Sequence, residues 1–248
     1  MWWYEIKAGE QKPVFFIKTN KSATDMNRHN TECRLCGCRA LSAIDAPDGL
    51  YYHCPQCQLI FADARALPGP AEERRRYLEH DNSHENKGYV AMFERFIAEL
   101  VVPYASGRGD VLEFGCGPVP VLADILTGKG FTVDVYDPYF YPQPVYEEKQ
   151  YDLITATEVF EHLRNPYGTI KRLKTRLKAN GCLAVMTLFH PGPQEFADWW
   201  YRRDLTHICF YNSHTLDWIA GHFGLQLLFQ NGKNYALFQN SQTRPDDL

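Results

Sequence analysis

Val111-Leu112-Glu113-Phe114-Gly115-Cys116-Gly117 is a short apolar strand that runs straight into a glycine turn. Glycines at such a turn let the backbone approach a ligand where a Cβ would collide. About twenty residues further on, Val133-Asp134-Val135-Tyr136-Asp137 forms a second apolar strand that ends in an acid. Asp137 is thereby placed to accept hydrogen bonds from ribose hydroxyls. Moving outward, the chain reads as a helix over Val121 to Leu126, a strand over Phe131 to Tyr136 and a strand over Tyr151 to Thr157. A helix follows with Ile170, Leu173 and Leu177 inward, ending at Asn180-Gly181. Cys182 to Leu188 reads as the fourth strand, residues 213–223 as a helix, and Leu225 to Phe229 and Tyr235 to Phe238 as closing strands joined by Asn231-Gly232 in a hairpin. Strands alternating with helices at this spacing predict a Rossmann-like α/β domain over residues 107–248, with helices on both faces of a mostly parallel sheet.

Upstream, residues 65–106 read as a helical lid and linker. Pro68-Gly69-Pro70 breaks the chain, Ala71 to Glu79 is rich in helix formers, and Tyr89 to Val101 places Phe93, Phe96, Ile97 and Leu100 on one helical face. His80, Asn82 and Tyr89 fall where a lid folds over a bound ligand. Residues 1–28 form an N-terminal extension. Val14-Phe15-Phe16-Ile17 suits a short hairpin, and an alternative takes Met26 as the functional start.

Two cofactor types use a glycine turn followed by an acid. A dinucleotide fingerprint wants G-x-G-x-x-G, so that pyrophosphate sits on a helix N-terminus. Pro120 stands where the third glycine would be, which disfavours a nicotinamide-dependent oxidoreductase. Glu113 also puts a carboxylate beside the turn, better suited to a sulfonium or an amino group. The run from Val111 to Gly117 closely resembles the first motif of class I S-adenosylmethionine-dependent methyltransferases. Val133 to Asp137 looks like the second motif of that family, Tyr151 to Leu163 like its fourth strand and following turn, and Leu177 to Leu183 like the turn into strand five. The resemblance spans residues 107 to 240 and implies a cofactor site of Glu113, Gly115, Cys116, Gly117, Asp137, Pro138, Thr157 and Glu158, with Tyr89 from the lid. One departure is visible. Only Pro138 to Gln150 separates the second motif from the next strand, too little for the usual helix–strand–helix excursion. A sheet without its third strand is expected, with Tyr139, Phe140 or Tyr141 stacking on the adenine.

Cys33-Arg34-Leu35-Cys36 and Cys54-Pro55-Gln56-Cys57 are two C-x-x-C knuckles separated by residues 37–53. That spacing matches a four-cysteine structural zinc site, so residues 29–64 read as a zinc-ribbon module with Cys33, Cys36, Cys54 and Cys57 as ligands. Four thiolates leave no open position, so the metal would fold the module and not react. Cys38 is the spare. The module resembles the zinc-binding N-terminal segment carried by some bacterial methyltransferases, including ones acting on sugars.

Methyl transfer needs an aligned acceptor, a dry site and, for some acceptors, removal of one proton. The candidates for this work lie after the third and fourth strands read above. Glu158, Glu161 and His162 have i, i+3, i+4 spacing and are expected on one face of a helical turn. Quinone-biosynthesis O-methyltransferases carry a similar E-V-x-E-H run, associated there with a divalent metal. His190 follows the strand of residues 182–188. An insertion with Trp199, Trp200, Asp204, Thr206, His207 and Tyr211 is expected to line an acceptor pocket. The catalytic candidates are therefore His207, His162, Glu158, Tyr211 and His190.

The chain has 248 residues, 45% of them hydrophobic and 23% charged, with a net charge of −4. It lacks an apolar run of membrane-spanning length and a secretory leader pattern, so a cytoplasmic protein is expected. The negative charge argues against a nucleic-acid surface over the whole molecule, and Arg74-Arg75-Arg76 reads as a solvated helix face. The function expected is an S-adenosylmethionine-dependent methyltransferase acting on a small molecule. An RNA methyltransferase and a non-catalytic cofactor-binding protein are the alternatives.

Overall fold

Leu112, Phe114, Ile154 and Ala156 pack into one apolar cluster, while Val111 and Leu153 pack into another. This two-residue alternation is that of strands with both faces covered. The computed structural model describes residues 31–104 and 109–241, and Glu32–Leu248 form one compact unit. The hairpin expected at Val14 to Ile17 and the alternative start at Met26 lie outside the described residues.

The larger sheet has six strands: β4 (Asp110–Phe114), β5 (Thr132–Tyr136), β6 (Tyr151–Thr157), β7 (Leu177–Met186), β9 (Gln226–Gln230) and β10 (Tyr235–Gln239), in the order β5-β4-β6-β7-β10-β9. Strands β5, β4, β6 and β7 are parallel, and β10 is antiparallel to both its neighbours. The segment between β5 and β6 holds a backbone bridge from Asp137 to Tyr141 and a 3-10 turn at Val145–Glu148, and β5 is the sheet edge. Helices α1 (Pro70–Leu78), α2 (Lys87–Phe96), α3 (Val121–Gly128), α4 (Pro166–Thr175) and α5 (Ser213–Phe223) complete the domain. Among the described residues no helix is long and apolar enough to cross a membrane.

Two expectations about elements need correction. The helix read to end at Asn180-Gly181 ends at Thr175, and Leu177 begins β7. Asn180 is left-handed (φ 62°), and the register between β6 and β7 shifts at this point. Asn180-Gly181 is thus a bulge inside a strand, where Gly181 lies so close to Tyr151 O that a Cβ would come within 2.7 Å of it. The second helix does not run regularly to Val101. It turns π-helical over Ile97–Val101, which keeps Ile97 and Leu100 in the core beside Phe93 and Phe96.

A second, antiparallel sheet has the order β1-β2-β3-β8, with β1 (Ser42–Ala46), β2 (Gly49–His53), β3 (Ile60–Ala62) and β8 (Cys209–Phe210). Its fourth strand comes from the insertion after β7, with Ile60 opposite Phe210 and Phe61 opposite Cys209. Arg202, 4% exposed, extends the junction. Its Nε donates to Phe196 O (3.1 Å) and Ala197 O (2.8 Å), and its guanidinium pairs with Asp48 of the cysteine-bearing segment. Phe210 sits among Tyr51, Phe196 and Trp199, with ring centroids 4.9–6.1 Å apart. Phe210→Ala is expected to cost about 3–5 kcal/mol, seen as a drop in melting temperature of roughly ten degrees. Trp200→Ala, at a half-exposed neighbouring ring, should leave the melting temperature nearly unchanged.

Candidate functional site

The turn after β4 is closed by Gly115 N donating to Tyr136 O at 2.7 Å. Gly115 has φ 82°, and a Cβ there would meet Val159 Cγ2 at 2.3 Å, so no side chain fits. Gly117 N donates to Asp137 Oδ2 (3.1 Å), and Oδ1 accepts from Tyr139 N (2.8 Å) and Phe140 N (3.1 Å). Asp137 thereby ties the end of β5 to the glycine turn. Glu113 is 3% exposed, and its Oε2 accepts Ala123 N (2.8 Å) in the first turn of α3. Burial pushes its carboxyl up to about 8, and Asp124 and Asp137 add to the shift. Cys116 and Thr157 are buried, and Pro138 lies exposed after Asp137. Tyr89, in the first turn of α2, has its hydroxyl held protonated by burial and by nearby Glu113, Glu158 and Cys116.

The two acids of the E-V-x-E-H run meet by a route the i, i+3, i+4 spacing does not describe. Glu158 is left-handed (φ 54°), and only Phe160–His162 form a 3-10 turn, so Glu158, Glu161 and His162 do not share one helical face. Tyr201 from the insertion joins them instead. Its hydroxyl lies 3.1 Å from Glu158 Oε2 and against Glu161 Oε1. Glu158 keeps exposed surface, but desolvation by the protein packed around it, and then the Glu161 carboxylate, raise its carboxyl above the usual carboxylate range. Beside this pair, His162 Nδ1 lies 2.9 Å from Thr206 O and His207 Nδ1 lies 2.7 Å from Tyr201 O. Carbonyls only accept, so both rings carry a proton on Nδ1 and a lone pair on Nε2. Burial, then His162, lowers His207 to about 4, so its imidazole is neutral at neutral pH.

Helix α1 ties these parts together. Arg76 Nε donates to Asp204 Oδ2 (2.9 Å), and Asp204 also accepts from Thr206 N and Oγ1, with His80 at 3.8 Å. Tyr77 packs edge-on against His162 (5.3 Å), and Glu73 pairs with Arg164 and accepts from Tyr139. Phe140, one of the rings expected on adenine, lies under the Arg74 guanidinium at 5.4 Å, and Tyr141 pairs its backbone with Asp137.

Two catalytic candidates change role. His190 is 5% exposed, with Nε2 at 2.9 Å from Gln58 O and Nδ1 accepting from Gly192 N (3.2 Å). Both ring nitrogens are taken, so His190 joins the cysteine module to the large sheet and has no lone pair left for a proton. Tyr211 is fully buried and donates to Phe160 O (3.1 Å), which makes it core and not pocket wall. Tyr201 was not singled out from sequence. Its position in Trp199-Trp200-Tyr201-Arg202-Arg203 carries no periodic signal.

The four cysteines of the two knuckles come together. Gly37 N donates to Cys33 O (2.9 Å), Gln58 N donates to Cys54 O (2.8 Å), and Gly37 and Gln58 are both left-handed, so the knuckles turn alike. The sulfurs of Cys33 and Cys57 are 3.5 Å apart, those of Cys36 and Cys54 3.4 Å, and all four lie within 4.8 Å. A tetrahedral zinc with bonds of about 2.3 Å sets its sulfurs roughly 3.8 Å apart, so the donor set fits the ion in kind and spacing. Cys38 stands outside the cluster.

Glu113 yields a pH-dependent test. Its folded value is raised, so its contribution to stability is full below the ordinary carboxyl range and is lost as pH rises toward 8. Wild type should therefore lose stability relative to Glu113→Gln between pH 5 and 8, by on the order of a few kcal/mol. Denaturant titrations at each pH measure this, and parallel curves would show that Glu113 titrates normally.

The sequence matches the family described as Methyltransferase domain over residues 77–230. Among solved structures, the chain is similar to 1,6-didemethyltoxoflavin-N1-methyltransferase of Burkholderia thailandensis, solved with 1,6-didemethyltoxoflavin and S-adenosylhomocysteine bound. The two share 16% identity at a TM-score of 0.51, over 77% of this chain and 99% of that one. An O-methyltransferase family protein of Burkholderia thailandensis follows with 15% identity and a TM-score of 0.47, over 71% of this chain and 62% of that one. Magnesium protoporphyrin IX methyltransferase of Synechocystis PCC 6803, solved with S-adenosylmethionine bound, shares 15% identity with a TM-score of 0.42, over 69% and 90% of the two chains. No curated protein matches. With the glycine turn, the acid that follows β5 and the family match in agreement, the chain belongs to the methyltransferase-domain family and is an S-adenosylmethionine-dependent methyltransferase of Rossmann-like fold.

Proposed function

We propose that the chain methylates a small molecule, with the acceptor held between the glycine turn and the insertion of residues 196–207. The observation that carries this reading is the convergence of Glu158, Glu161 and His162, which follow β6, with Tyr201 and His207 of the insertion. Ligands of open α/β sheets bind beyond the carboxyl ends of the strands, which is where these residues lie. S-adenosylmethionine supplies an electrophilic methyl group on a sulfonium. Gly115 and Gly117 admit the backbone close to it, Asp137 accepts from its ribose, and Tyr89 and α1 cover the site from the lid side. His207 and His162 each offer an Nε2 lone pair to an acceptor proton, and the Glu158–Tyr201–Glu161 group orients the acceptor's polar atoms. The 1,6-didemethyltoxoflavin bound in the Burkholderia thailandensis structure is consistent with a small-molecule acceptor.

The cysteine module serves structure in this reading, holding one zinc through Cys33, Cys36, Cys54 and Cys57. An RNA acceptor finds no support. The basic residues of the described module are occupied, Arg34 by Ala62 O (2.7 Å) and Phe61, and Arg39 by Glu32. The division into residues 29–64, 65–106 and 107–248 is retained as a functional one, although the strand at Cys209–Phe210 crosses it.

Calorimetry tests the cofactor assignment. S-adenosylhomocysteine should bind and NAD should not, and Asp137→Ala should weaken S-adenosylhomocysteine binding by about 1.5–3 kcal/mol. Unchanged affinity in that variant would remove Asp137 from the site. Elemental analysis tests the module: one zinc per chain is expected, retained in Cys38→Ser and lost in Cys54→Ser. Zinc-free protein prepared without chelator would refute the structural zinc.

A further inference from the structure

Glu161 has no exposed surface, and among the described residues no Lys or Arg pairs with it. Tyr201 occupies its Oε1, while Oε2 has no hydrogen-bond partner. A carboxylate in this state is costly, and a fold retains one where a cation or a ligand completes it. The two imidazoles beside it are prepared in the way metal-binding histidines usually are. Each Nδ1–H is fixed by a backbone carbonyl, Thr206 O for His162 and Tyr201 O for His207, which orients the ring and leaves Nε2 as the free donor. One donor atom from each of Glu161, His162 and His207 lies within 4.8 Å of the other two.

We propose that Glu161, His162 and His207 bind a divalent transition-metal cation, separate from the ion that the four cysteines fit. Two neutral imidazoles and one carboxylate favour zinc, cobalt, iron or manganese. Donors around such an ion stand roughly 3.3 Å apart, so side-chain adjustments of no more than about 1.5 Å bring the three together. The ligand set is not the E-V-x-E-H run itself. Glu158 lies outside the cluster, and the third ligand comes from the insertion. Three protein ligands leave coordination positions open. Resting on the methyl-transfer reading, those positions take an acceptor oxygen, whose proton the cation makes more acidic. The histidines then act as ligands and not as bases, and the acceptor proton leaves to solvent.

The test separates metal uptake from turnover. Full-length protein with zinc already on its cysteines is titrated with cobalt(II), followed by visible absorption, and with manganese(II), followed by loss of the free-ion paramagnetic resonance signal. Manganese is poorly suited to a thiolate site, so it reports on this one alone. One equivalent should bind, with d–d bands and no thiolate charge-transfer band. His207→Ala and Glu161→Gln should each weaken uptake at least tenfold while circular dichroism and melting stay near wild type. Glu161→Gln keeps the side chain's shape and so guards against a folding defect in His207→Ala. No uptake of either ion, or uptake unchanged in both variants, would overturn the proposal. Loss of turnover in His207→Ala without any metal uptake would leave the histidine as a base and the metal site refuted. Metal uptake together with absent S-adenosylhomocysteine binding would uphold this site and refute the methyl-transfer reading.

Discussion

The pairing of Ile60 and Phe61 with Phe210 and Cys209 is the constraint on which the rest of the site depends. An insertion between the last parallel strand and α5 would otherwise be a surface loop with its own backbone groups to satisfy. Here two of its residues are written into the sheet of the cysteine segment, and Arg202 is sealed between carbonyls of the insertion and Asp48. With its far end fixed, the insertion can hold Tyr201 against two acids and present the Tyr201 and Thr206 carbonyls to two histidines. The small module thus acts as a buttress for the insertion that carries Tyr201 and His207.

The centre of the molecule is electrostatically unusual for a packed core. Glu113 and Glu161 lie within it and the exposed Glu158 borders it, each without a Lys or Arg partner among the described residues. Each is managed differently. Glu113 accepts a backbone N–H from the start of α3, where the helix dipole favours a negative group. Glu158 shares the Tyr201 hydroxyl with Glu161, so the two carboxylates cannot both be ionised cheaply. Acids grouped this way favour cationic or proton-donating neighbours over anionic ones. That preference agrees with a sulfonium cofactor whose charge disappears on reaction.

Much of this was legible in sequence because it rests on local patterns. The glycine turn, the acid that follows β5, the alternation of strands with helices and the two C-x-x-C knuckles are each set by residues within a few positions of one another. The helix over residues 213–223 was readable because Asn212 caps it with a reciprocal Thr215 bond and Gly224 closes it left-handed. What sequence missed depends on distant partners. Leu177 continues a helical apolar spacing, yet it belongs to β7 because Asn180 and Gly181 form a bulge against Tyr151. His190 and Tyr211 have catalytic side chains, but Gln58, Gly192 and Phe160 claim their polar atoms. Tyr201 went unnoticed for the converse reason, since its partners lie 40 and 43 residues upstream with no spacing rule to link them.

The junction between the two sheets also dictates an order of events during synthesis. Asp48 and Arg202 are 154 residues apart, and β3 finds β8 only after most of the chain has left the ribosome. The two knuckles, by contrast, are complete once Gln58 has emerged, and come together from purely local contacts. The cysteine segment therefore holds three of the four strands of its sheet and waits through the translation of the four parallel strands for the last one. Exposed edges of this kind recruit the wrong partner when they wait too long. The shortness of β3 and β8, three residues and two, limits that exposure to a few hydrogen bonds.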